Sequence, residues 1–272
     1  MNAITCGIRK LRQGFKNSGG KFWGKKQYYS IWNKLYRTAL KGMNVGRGAD
    51  FKQSGELNVL TQLKAIEKSN MVLFDVGANI GEYTKCLASM FSDAIIYSFE
   101  PSKETFCTLS KNVSAKNVVL NNIGISDEIV RGTLYSDKEN SGLASLYNRQ
   151  LDYLGMELGK KEEVELTTLD YYCETNNIDT IDFLKIDIEG NEYKALLGAE
   201  RLLMGKKIGA IQIEMGGTNI DSRTYFRDFW NLLHEDFTAY RILQNGLWEI
   251  QKYEEILEIF VTVNYLFIKK QL

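Results

Sequence analysis

The stretch MVLFDVGANIGEYT, residues 71–84, decides the fold of this 272-residue chain. It opens with a short apolar run that is typical of a buried parallel strand and ends in Asp75. Gly77 and Gly81 follow, and the amphipathic stretch 80–91 predicts a helix. A strand, a glycine turn and a helix form a binding loop at the carboxyl edge of a sheet, where open α/β folds hold their ligands. The stretch therefore predicts a doubly wound α/β fold.

The spacing of the glycines bears on the ligand. A dinucleotide-binding turn needs the pattern G-x-G-x-x-G, but counting from Gly77 this chain has Asn79 and Glu82 in place of the later glycines. Glu82 would put a negative charge at the helix N-terminus, where a pyrophosphate would bind. An acid at Asp75 suits a ligand with an amine or a cation. We expect S-adenosylmethionine (SAM), with NAD or a turn without ligand as the alternatives.

Composition excludes several classes of protein. The chain is 44% hydrophobic and 25% charged, as soluble globular proteins are, and no apolar run reaches the roughly 18 residues of a membrane span. No apolar segment of a secretory signal follows the basic N-terminus. Four scattered cysteines without a C-x-x-C pair predict reduced thiols in a cytoplasmic protein. The single histidine, His234, excludes a histidine-based zinc site and is expected to be structural.

Charge is distributed unevenly, although the net charge is zero. Residues 1–52 carry twelve lysines and arginines and one acid, Asp50, which leaves 22 basic and 33 acidic residues in the rest. We predict a basic arm over 1–52 and a second domain over 53–272. The arm suggests an anionic partner, either a membrane face, an anionic sugar precursor or the body's own surface. Its stretch 28–41 predicts an amphipathic helix, expected to pack on the body rather than lie on a membrane.

The remaining pattern alternates strands with helices. Strands are predicted over 94–99, 118–125, 181–187 and 208–214, followed by a hairpin over 238–250 and a last strand over 259–268. Two further alternating runs, 130–135 and 163–168, bracket the loop SGLASL at 141–146, which we interpret as a β insertion over the mouth of the site. This order indicates a doubly wound sheet with an antiparallel edge.

Five acids fall at or just beyond the ends of successive predicted strands: Asp75, Glu100, Asp127, Asp187 and Glu214. Because the carboxyl ends of parallel strands share one edge, we expect these acids to surround one site. A carboxylate at Glu100 can accept both hydroxyls of a ribose, whether the ligand is SAM or NAD. Asp127 and Ser126 are expected near the adenine, and Asp187 and Glu214 nearer the substrate.

Several motifs resemble the FkbM family of SAM-dependent methyltransferases, notably members that act in bacterial polysaccharide biosynthesis. They are DVGANIGEYT (75–84), FEPS (99–102), TTLDYY (167–172), FLKIDIEGNEYKALLGAE (183–200), IQIE (211–214) and LEIFVTVNYLFI (257–268). The resemblance covers about residues 54–270, and K-I-D-I-E-G is its specific part. It implies a Rossmann-like class I methyltransferase fold, with a seven-stranded sheet whose last strand is antiparallel. It also implies SAM as the methyl donor and a hydroxyl oxygen as the acceptor.

The resemblance also implies roles for individual residues. Glu100 would hold the ribose with Ser102 nearby, and Ser126 and Asp127 would lie by the adenine. Lys185, Asp187 and Glu189 would face the acceptor or support the loop that does. The methionine part of SAM would be lined by Asp75, Gly77, Asn79, Gly81 and Thr84.

A sugar hydroxyl is a weak nucleophile and needs a base or a metal. Asp187 is the first candidate base and Glu214 the second, and the pair could instead hold Mg²⁺. The structural alternative is that Asp187 and Glu189 cap the helix beginning near Gly190. Lys185 is either a cation of the acceptor site or the partner of a strand-end acid.

The sequence therefore predicts a SAM-dependent O-methyltransferase acting on a saccharide, a nucleotide sugar or a lipid-linked glycan, at the inner face of the membrane or in the cytoplasm. The alternatives are a methyltransferase of another small molecule or of RNA, a SAM-binding module without catalysis, and an NAD oxidoreductase. Amino-methylating DNA enzymes are excluded, because their N-P-P-Y or D-P-P-Y motif needs two prolines and Pro101 is the only one. The sugar, the hydroxyl and the oligomeric state are left open.

Overall fold

The structure, a computed structural model, describes residues 21–47 and 51–270. The predictions made for residues 1–20, Cys6 included, and for Asp50 lie outside this range. The chain divides into two compact units, one ending at Met43 and one beginning at Asn44. Asn44 belongs to the second unit because its buried amide donates to the carbonyl oxygens of Ser54, at 2.7 Å, and Ile242, at 3.2 Å. The domain boundary predicted between residues 52 and 53 stays a prediction.

The first unit contains helix α1 and the second the remaining elements. The helices are α1 (Tyr29–Gly42), α2 (Phe51–Ser54), α3 (Glu56–Ala65), α4 (Glu82–Met90), α5 (Lys103–Asn112), α6 (Leu169–Thr175), α7 (Glu192–Leu197), α8 (Glu200–Met204), α9 (Thr218–Ser222) and α10 (Phe226–Leu233). The strands are β1 (Val72–Val76), β2 (Ile95–Phe99), β3 (Val118–Asn121), β4 (Gly124–Ile125), β5 (Val130–Ser136), β6 (Lys160–Thr167), β7 (Ile181–Ile186), β8 (Ile208–Met215), β9 (Phe237–Leu243), β10 (Gly246–Ile250) and β11 (Val263–Lys269). In the part of the chain that the structure describes, no helix combines the length and apolar character needed to cross a membrane.

The main sheet has the strand order β10-β9-β11-β8-β7-β1-β2-β3. Neighbours from β8 to β3 run parallel, and the last strand, β11, is antiparallel to both β8 and β9. This confirms the predicted α/β class I methyltransferase fold with its antiparallel last strand. The sheet has eight strands where seven were predicted, because the hairpin turn at Asn245 returns β10 along β9 as an extra edge strand.

A second, smaller sheet has the order β4-β6-β5 and forms the predicted β insertion. The single strand predicted over 118–125 is wrong. β3 ends at Asn121 in the main sheet, and β4 pairs with β6 in the second sheet. The side chain of Asn122 donates to the carbonyl oxygens of Glu100 and Pro101, which holds the chain beside the end of β2 as it leaves the main sheet. Asp127 therefore follows a strand of the second sheet.

Both faces of the main sheet are covered, as doubly wound folds require. On one face, Leu73, Ile96 and Phe183 pack with Leu87 and Phe91 at the end of α4. On the other face, Phe74 and Phe99 pack edge-on against Tyr172 of α6, with Phe99 and Tyr172 centroids 4.8 Å apart. The carboxyl edge of the parallel strands remains open between these two layers.

Candidate active site

A row of polar residues crosses the apolar face of the sheet just before its carboxyl edge. Ser98, Asp75, Lys185 and Gln212 are paired neighbours on β2, β1, β7 and β8. All four side chains are buried. Buried polar groups destabilise a fold unless they are paired, so each member must find a partner.

Helix α4 supplies partners for this row. Thr84 donates to Asp75 Oδ2 at 2.6 Å and lies 3.0 Å from the hydroxyl of Ser98. The hydroxyl of Tyr83 donates to Gln212 at 3.2 Å, and Gln212 donates to the carboxylate of Glu56 at 2.8 Å. Asp75 and Thr84 are thus fully buried and paired with each other, and the cofactor contact predicted for them stays a prediction.

Lys185 is the central member of the row. Its Nζ lies 3.5 Å from Asp75 Oδ1, 3.3 Å from Asp187 Oδ2 and 4.9 Å from the centroid of the Tyr83 ring. Burial lowers the pKa of Lys185, but the carboxylates of Asp187, Asp75 and Glu56 outweigh burial and raise it above its ordinary value. Lys185 is thus a permanent cation that partners two strand-end acids and also lines a pocket.

Two loops meet at the sheet edge where β1 and β7 end. Gly77 has a φ of +89°, and a side-chain Cβ at this position would lie 1.8 Å from the carbonyl oxygen of Asp187. The N–H groups of Gly77 and Ala78 both donate to the carbonyl oxygen of Phe99. Gly77 therefore lets the loop after β1 touch the loop after β7. Gly81 starts α4 with a φ of +91°.

The first pocket opens above these loops and encloses about 780 Å³, including its open mouth. This volume is within the usual range of small-ligand sites. Gly77, Asn79 and Glu100 form one side, and Asp187, Glu189 and Asn191 another. Apolar side chains form its walls: Phe99, Ile123, Ile125, Leu134, Leu146 and Leu166.

Glu100 is buried in this pocket. One carboxylate oxygen accepts the N–H of Asn79 at 3.1 Å, and the other accepts the N–H of Ser102 at 2.9 Å. Burial raises the pKa of Glu100 to about 7, against the lowering effect of these two hydrogen bonds. Ser102 itself caps α5, where its hydroxyl accepts the N–H of Thr105.

The loop 141–149, which we call the strap, lines the first pocket with Ser141, Gly142, Ala144 and Leu146. The Asn79 amide donates to the carbonyl oxygen of Ser141 at 3.0 Å, and Ser145 donates to that of Glu189 at 2.6 Å. The side chain of Arg149, which is 7% exposed, donates to the Glu189 carboxylate at 3.1 Å and lies 3.5 Å from that of Asp221. The strap thus holds both loops of the sheet edge.

The second pocket adjoins the first and shares Gly77, Asn79, Gly142, Asp187 and Glu189 with it. It encloses about 1220 Å³, including open solvent. Lys185 is the one cation among the described residues that line it. Five acids line the same pocket: Glu56, Glu82, Asp187, Glu189 and Glu214.

Three of these acids, Asp187, Glu189 and Glu214, can place carboxylate oxygens within 4.8 Å of one another. Burial, followed by the charge of Asp187, raises the pKa of Glu189 to about 8, although Arg149 opposes the rise. Burial and then Asp187 and Glu189 raise the pKa of Glu214 well above its ordinary value. Burial and the neighbouring acids thus favour the protonated forms of Glu189 and Glu214, and the geometry of the three carboxylates would also suit a cation with oxygen ligands.

The helix after β7 is not capped by Asp187 or Glu189. Glu192 accepts the N–H groups of Ile188, at 3.1 Å, and Gly190, at 3.0 Å. Asp187 instead pairs with Lys185. Glu189, whose backbone φ is +50°, pairs with Arg149. Both acids face the pockets, contrary to the capping alternative.

Ser126 and Asp127 are outside the described lining of both pockets. Ser126 donates to Asp127 at 2.9 Å and accepts from Asn191 at 3.2 Å, while Asp127 pairs with Lys194 at 3.4 Å. Ile125, one residue earlier, lines the first pocket instead. The adenine role assigned to Ser126 and Asp127 stays a prediction that this geometry does not favour.

The sequence analysis missed two groups of residues. The strap side chains that hold the loops were missed, since Arg149 and Glu189 are 40 positions apart. Glu56 was also missed. The signal for it was an acid at the start of a largely apolar helix, whose carboxylate then needs a polar partner inside the protein. His234 lies outside both pockets, stacks on Trp230 and hydrogen-bonds its carbonyl oxygen at 2.8 Å.

Comparison with known proteins places the chain in a family. Residues 75–242 match the family described as "Methyltransferase FkbM domain". The chain is 25% identical over 144 residues to "Methyltransferase 1" of Beauveria bassiana, covering 47% of this chain and 58% of that protein. It is 26% identical over 164 residues to "Hexuronic acid methyltransferase AglP" of Haloferax volcanii, covering 60% of this chain and 64% of that protein. The chain thus spans about three fifths of the length of these curated relatives.

Among solved structures, an rRNA methylase from Streptococcus thermophilus superposes with a TM-score of 0.44 at 14% identity. The superposition covers 78% of this chain and 95% of that one.

Proposed function

The chain belongs to the FkbM methyltransferase family and is a SAM-dependent methyltransferase, and on this premise we propose that it methylates a hydroxyl oxygen of a saccharide or glycoconjugate precursor. The observation that carries the proposal is the position of Asp187. This carboxylate, paired with Lys185, stands where a pocket suited to a nucleoside opens into a second pocket lined by acids.

The residues of the first pocket fit SAM. The Glu100 carboxylate would accept the ribose hydroxyls, and the apolar walls around Ile125 and Leu166 would enclose the adenine. Gly77 and Asn79 would lie along the methionine part, at the boundary with the second pocket. When bound, SAM supplies an electrophilic methyl group on a positively charged sulfur, and the acids at this boundary favour a positive charge there.

The second pocket would take the acceptor. Sugar hydroxyls are hydrogen-bond donors, and the acids Glu56, Asp187 and Glu214 offer acceptors for several of them. Lys185 is already engaged by Asp75 and Asp187, so the described lining of this pocket offers a phosphate group no spare cation. In a nucleotide sugar or a lipid-linked glycan, the sugar would enter and the phosphates would stay outside. The name of the Haloferax relative, a hexuronic acid methyltransferase, supports the carbohydrate class.

Asp187 would act as the base. It would accept the proton of the acceptor hydroxyl while the oxygen forms its bond to the methyl carbon and the carbon–sulfur bond breaks. Lys185 would pair with the Asp187 carboxylate and keep it aimed at the boundary, and Glu214 would bind a neighbouring hydroxyl. Holding the two reactants in line would provide much of the rate.

Mg²⁺ is an alternative use of the same acids. Asp187, Glu189 and Glu214 could supply its oxygen ligands, and the metal would lower the pKa of the acceptor hydroxyl. Removal of divalent cations with EDTA tests this use. Turnover that survives EDTA unchanged would assign the reaction to Asp187 as base, whereas activity restored by Mg²⁺ and not by K⁺ would support the metal.

The first experiment is calorimetric titration with SAM, with NAD as the parallel ligand. We expect SAM to bind, NAD not to bind, and Glu100→Ala to weaken the binding of SAM. Turnover is then screened with neutral sugars, amino sugars, uronic acids and a structured RNA. Methylation of RNA in preference to every sugar would overturn the substrate class. SAM binding without turnover of any acceptor would indicate a module without catalysis.

A cytoplasmic location and a role in surface polysaccharide biosynthesis stay predictions within this proposal.

A further inference from the structure

Helix α1 exposes a continuous apolar side. None of its residues is buried, and Tyr29, Ile31, Leu35 and Tyr36 expose 72%, 54%, 51% and 61% of their surfaces. Tyr29, Trp32, Tyr36 and Leu40 recur at intervals of three and four residues, which places them along one side of a helix. The expectation that this side of the helix packs on the second unit stays a prediction. Soluble proteins rarely leave such a surface in water without a partner.

The opposite side of α1 is basic. Lys34, Arg37 and Lys41 also recur at intervals of three and four residues and fall on the side away from the apolar stripe. Lys21, Lys25 and Lys26 precede the helix, and residues 21–47 contain no acid. The segment is therefore strongly cationic as well as amphipathic.

The residues before the helix extend its aromatic surface. Trp23 stacks on Trp32 with ring centroids 4.9 Å apart, and the Trp32 indole N–H donates to the carbonyl oxygen of Phe22 at 3.0 Å. Phe22 lies 5.0 Å from Tyr28, centroid to centroid. Tryptophan and tyrosine rings are favoured at the boundary between lipid and water, because one end is apolar and the other polar.

We propose that α1 is an interfacial helix that binds the anionic surface of a lipid bilayer. Its apolar stripe would enter the boundary between headgroups and acyl chains, and its basic side would face the headgroup charge. The separation of the two sides favours lipid over single-stranded nucleic acid, whose bases and phosphates are bound by aromatic and basic side chains in one groove. The proposal concerns binding and does not depend on the methyltransferase acceptor.

The test is co-sedimentation of the full chain with vesicles, without SAM. We expect binding to vesicles that contain phosphatidylglycerol, weak binding to phosphatidylcholine alone, and a decrease with added salt. The double substitution Leu35→Glu/Tyr36→Glu should lower the partition coefficient at least about tenfold, because it puts charge into the exposed apolar side of α1. Circular dichroism and thermal unfolding monitor the fold of each variant.

The matched control is Ile66→Glu/Met204→Glu, which adds the same charge at two exposed apolar side chains outside the helix. This control should bind vesicles like the unsubstituted chain. Equal binding by the chain and its Leu35→Glu/Tyr36→Glu variant would overturn the proposal. Binding of a single-stranded RNA with no binding of anionic vesicles would also overturn it and assign the helix to nucleic acid.

Discussion

At the scale of single residues, the proposed chemistry depends on the Asp187 carboxylate. Asp187→Asn should lower the rate of methyl transfer by about 10²- to 10⁴-fold, because the amide cannot accept the hydroxyl proton. SAM affinity should stay close to that of the unsubstituted chain, since Glu100 and the apolar walls are unchanged. Single-turnover kinetics and calorimetry measure the two quantities. His234→Ala is the control, and normal turnover by Asp187→Asn would remove Asp187 from the reaction.

Glu100 should make SAM binding depend on pH. Its pKa is raised to about 7, mainly by burial, and its ionised form is the better acceptor for ribose hydroxyls. SAM affinity should therefore fall as the pH decreases through this value, by about tenfold between pH 8 and pH 6. Glu100→Gln should bind SAM weakly at both pH values, and its SAM affinity should no longer change between them. A step of equal size in that variant would assign the pH dependence to another group.

The sequence was sufficient to find the acids at or just beyond the carboxyl ends of strands in the main sheet. Glu100, Asp187 and Glu214 each line a pocket, because the carboxyl ends of parallel strands share one edge. Ser126 and Asp127 are outside the lining because the chain leaves the main sheet after Asn121, which local β pattern does not reveal. Contacts between distant segments, such as that of Arg149 with Glu189, need the tertiary fold before they can be recognised.

At the scale of elements, the strap should control how long SAM stays bound. Arg149→Ala removes the link between the strap and the Glu189 loop, so the strap should open more often. We expect SAM to dissociate about tenfold faster, with a smaller change in the methyl-transfer rate. Stopped-flow competition with S-adenosylhomocysteine measures the dissociation rate.

Arg131→Ala serves as the matched control for Arg149→Ala. Arg131 is exposed on the neighbouring strand β5 and pairs at 3.8 Å with an equally exposed Glu165. Its removal should leave SAM dissociation unchanged. A dissociation rate that is the same in Arg149→Ala and in the unsubstituted chain would show that the strap does not limit exit.

The contact between the loops after β1 and β7 should tolerate no side chain at Gly77. Gly77→Ala would force a Cβ toward the Asp187 carbonyl oxygen and strain a positive φ, at a cost of at least about 3 kcal/mol in the free energy of unfolding. SAM binding should be lost with it. Gly159→Ala is the control, since a Cβ there meets nothing within 4 Å. Chemical denaturation compares the two, and equal stability would contradict the close contact.

Whether a segment forms a helix or a strand was largely predictable from the sequence, whereas the points at which helices break were not. The glycine loop and the strands β1, β2, β7 and β8 follow from short apolar runs with polar ends. The apolar spacing of residues 221–235 predicts one helix, but the chain breaks between α9 and α10, where Arg223 has a φ of +57°. Nothing in the local pattern marks this residue as a break.

At the scale of the whole molecule, buried acids should make the fold more stable at mildly acidic pH. Burial raises the pKa values of Glu100 and Glu192 to about 7 and that of Glu189 to about 8, from 4.5. Between the unfolded value of 4.5 and the raised values of about 7 and about 8, the folded chain binds more protons than the unfolded chain. The free energy of unfolding therefore falls as the pH rises through this range. The melting temperature should drop by roughly 5–10 °C between pH 6 and pH 8.5.

Scanning calorimetry across this pH range tests the direction of the effect. Glu192→Gln, which removes one of the acids with a raised pKa, should give a smaller drop than the unsubstituted chain. A melting temperature that is constant or rises toward pH 8.5 would contradict the argument.

The polar row Ser98, Asp75, Lys185 and Gln212 has a consequence for how the sheet assembles. Shifting one strand by a single residue would turn Lys185 to the other face, among apolar side chains and away from Asp75. A lysine without a counter-charge in such a place destabilises the chain by several kcal/mol, so misaligned pairings cannot compete with the native one. The four residues that support the site thus also select the native strand register during folding. Strands with only hydrophobic side chains at these positions would pair in several registers.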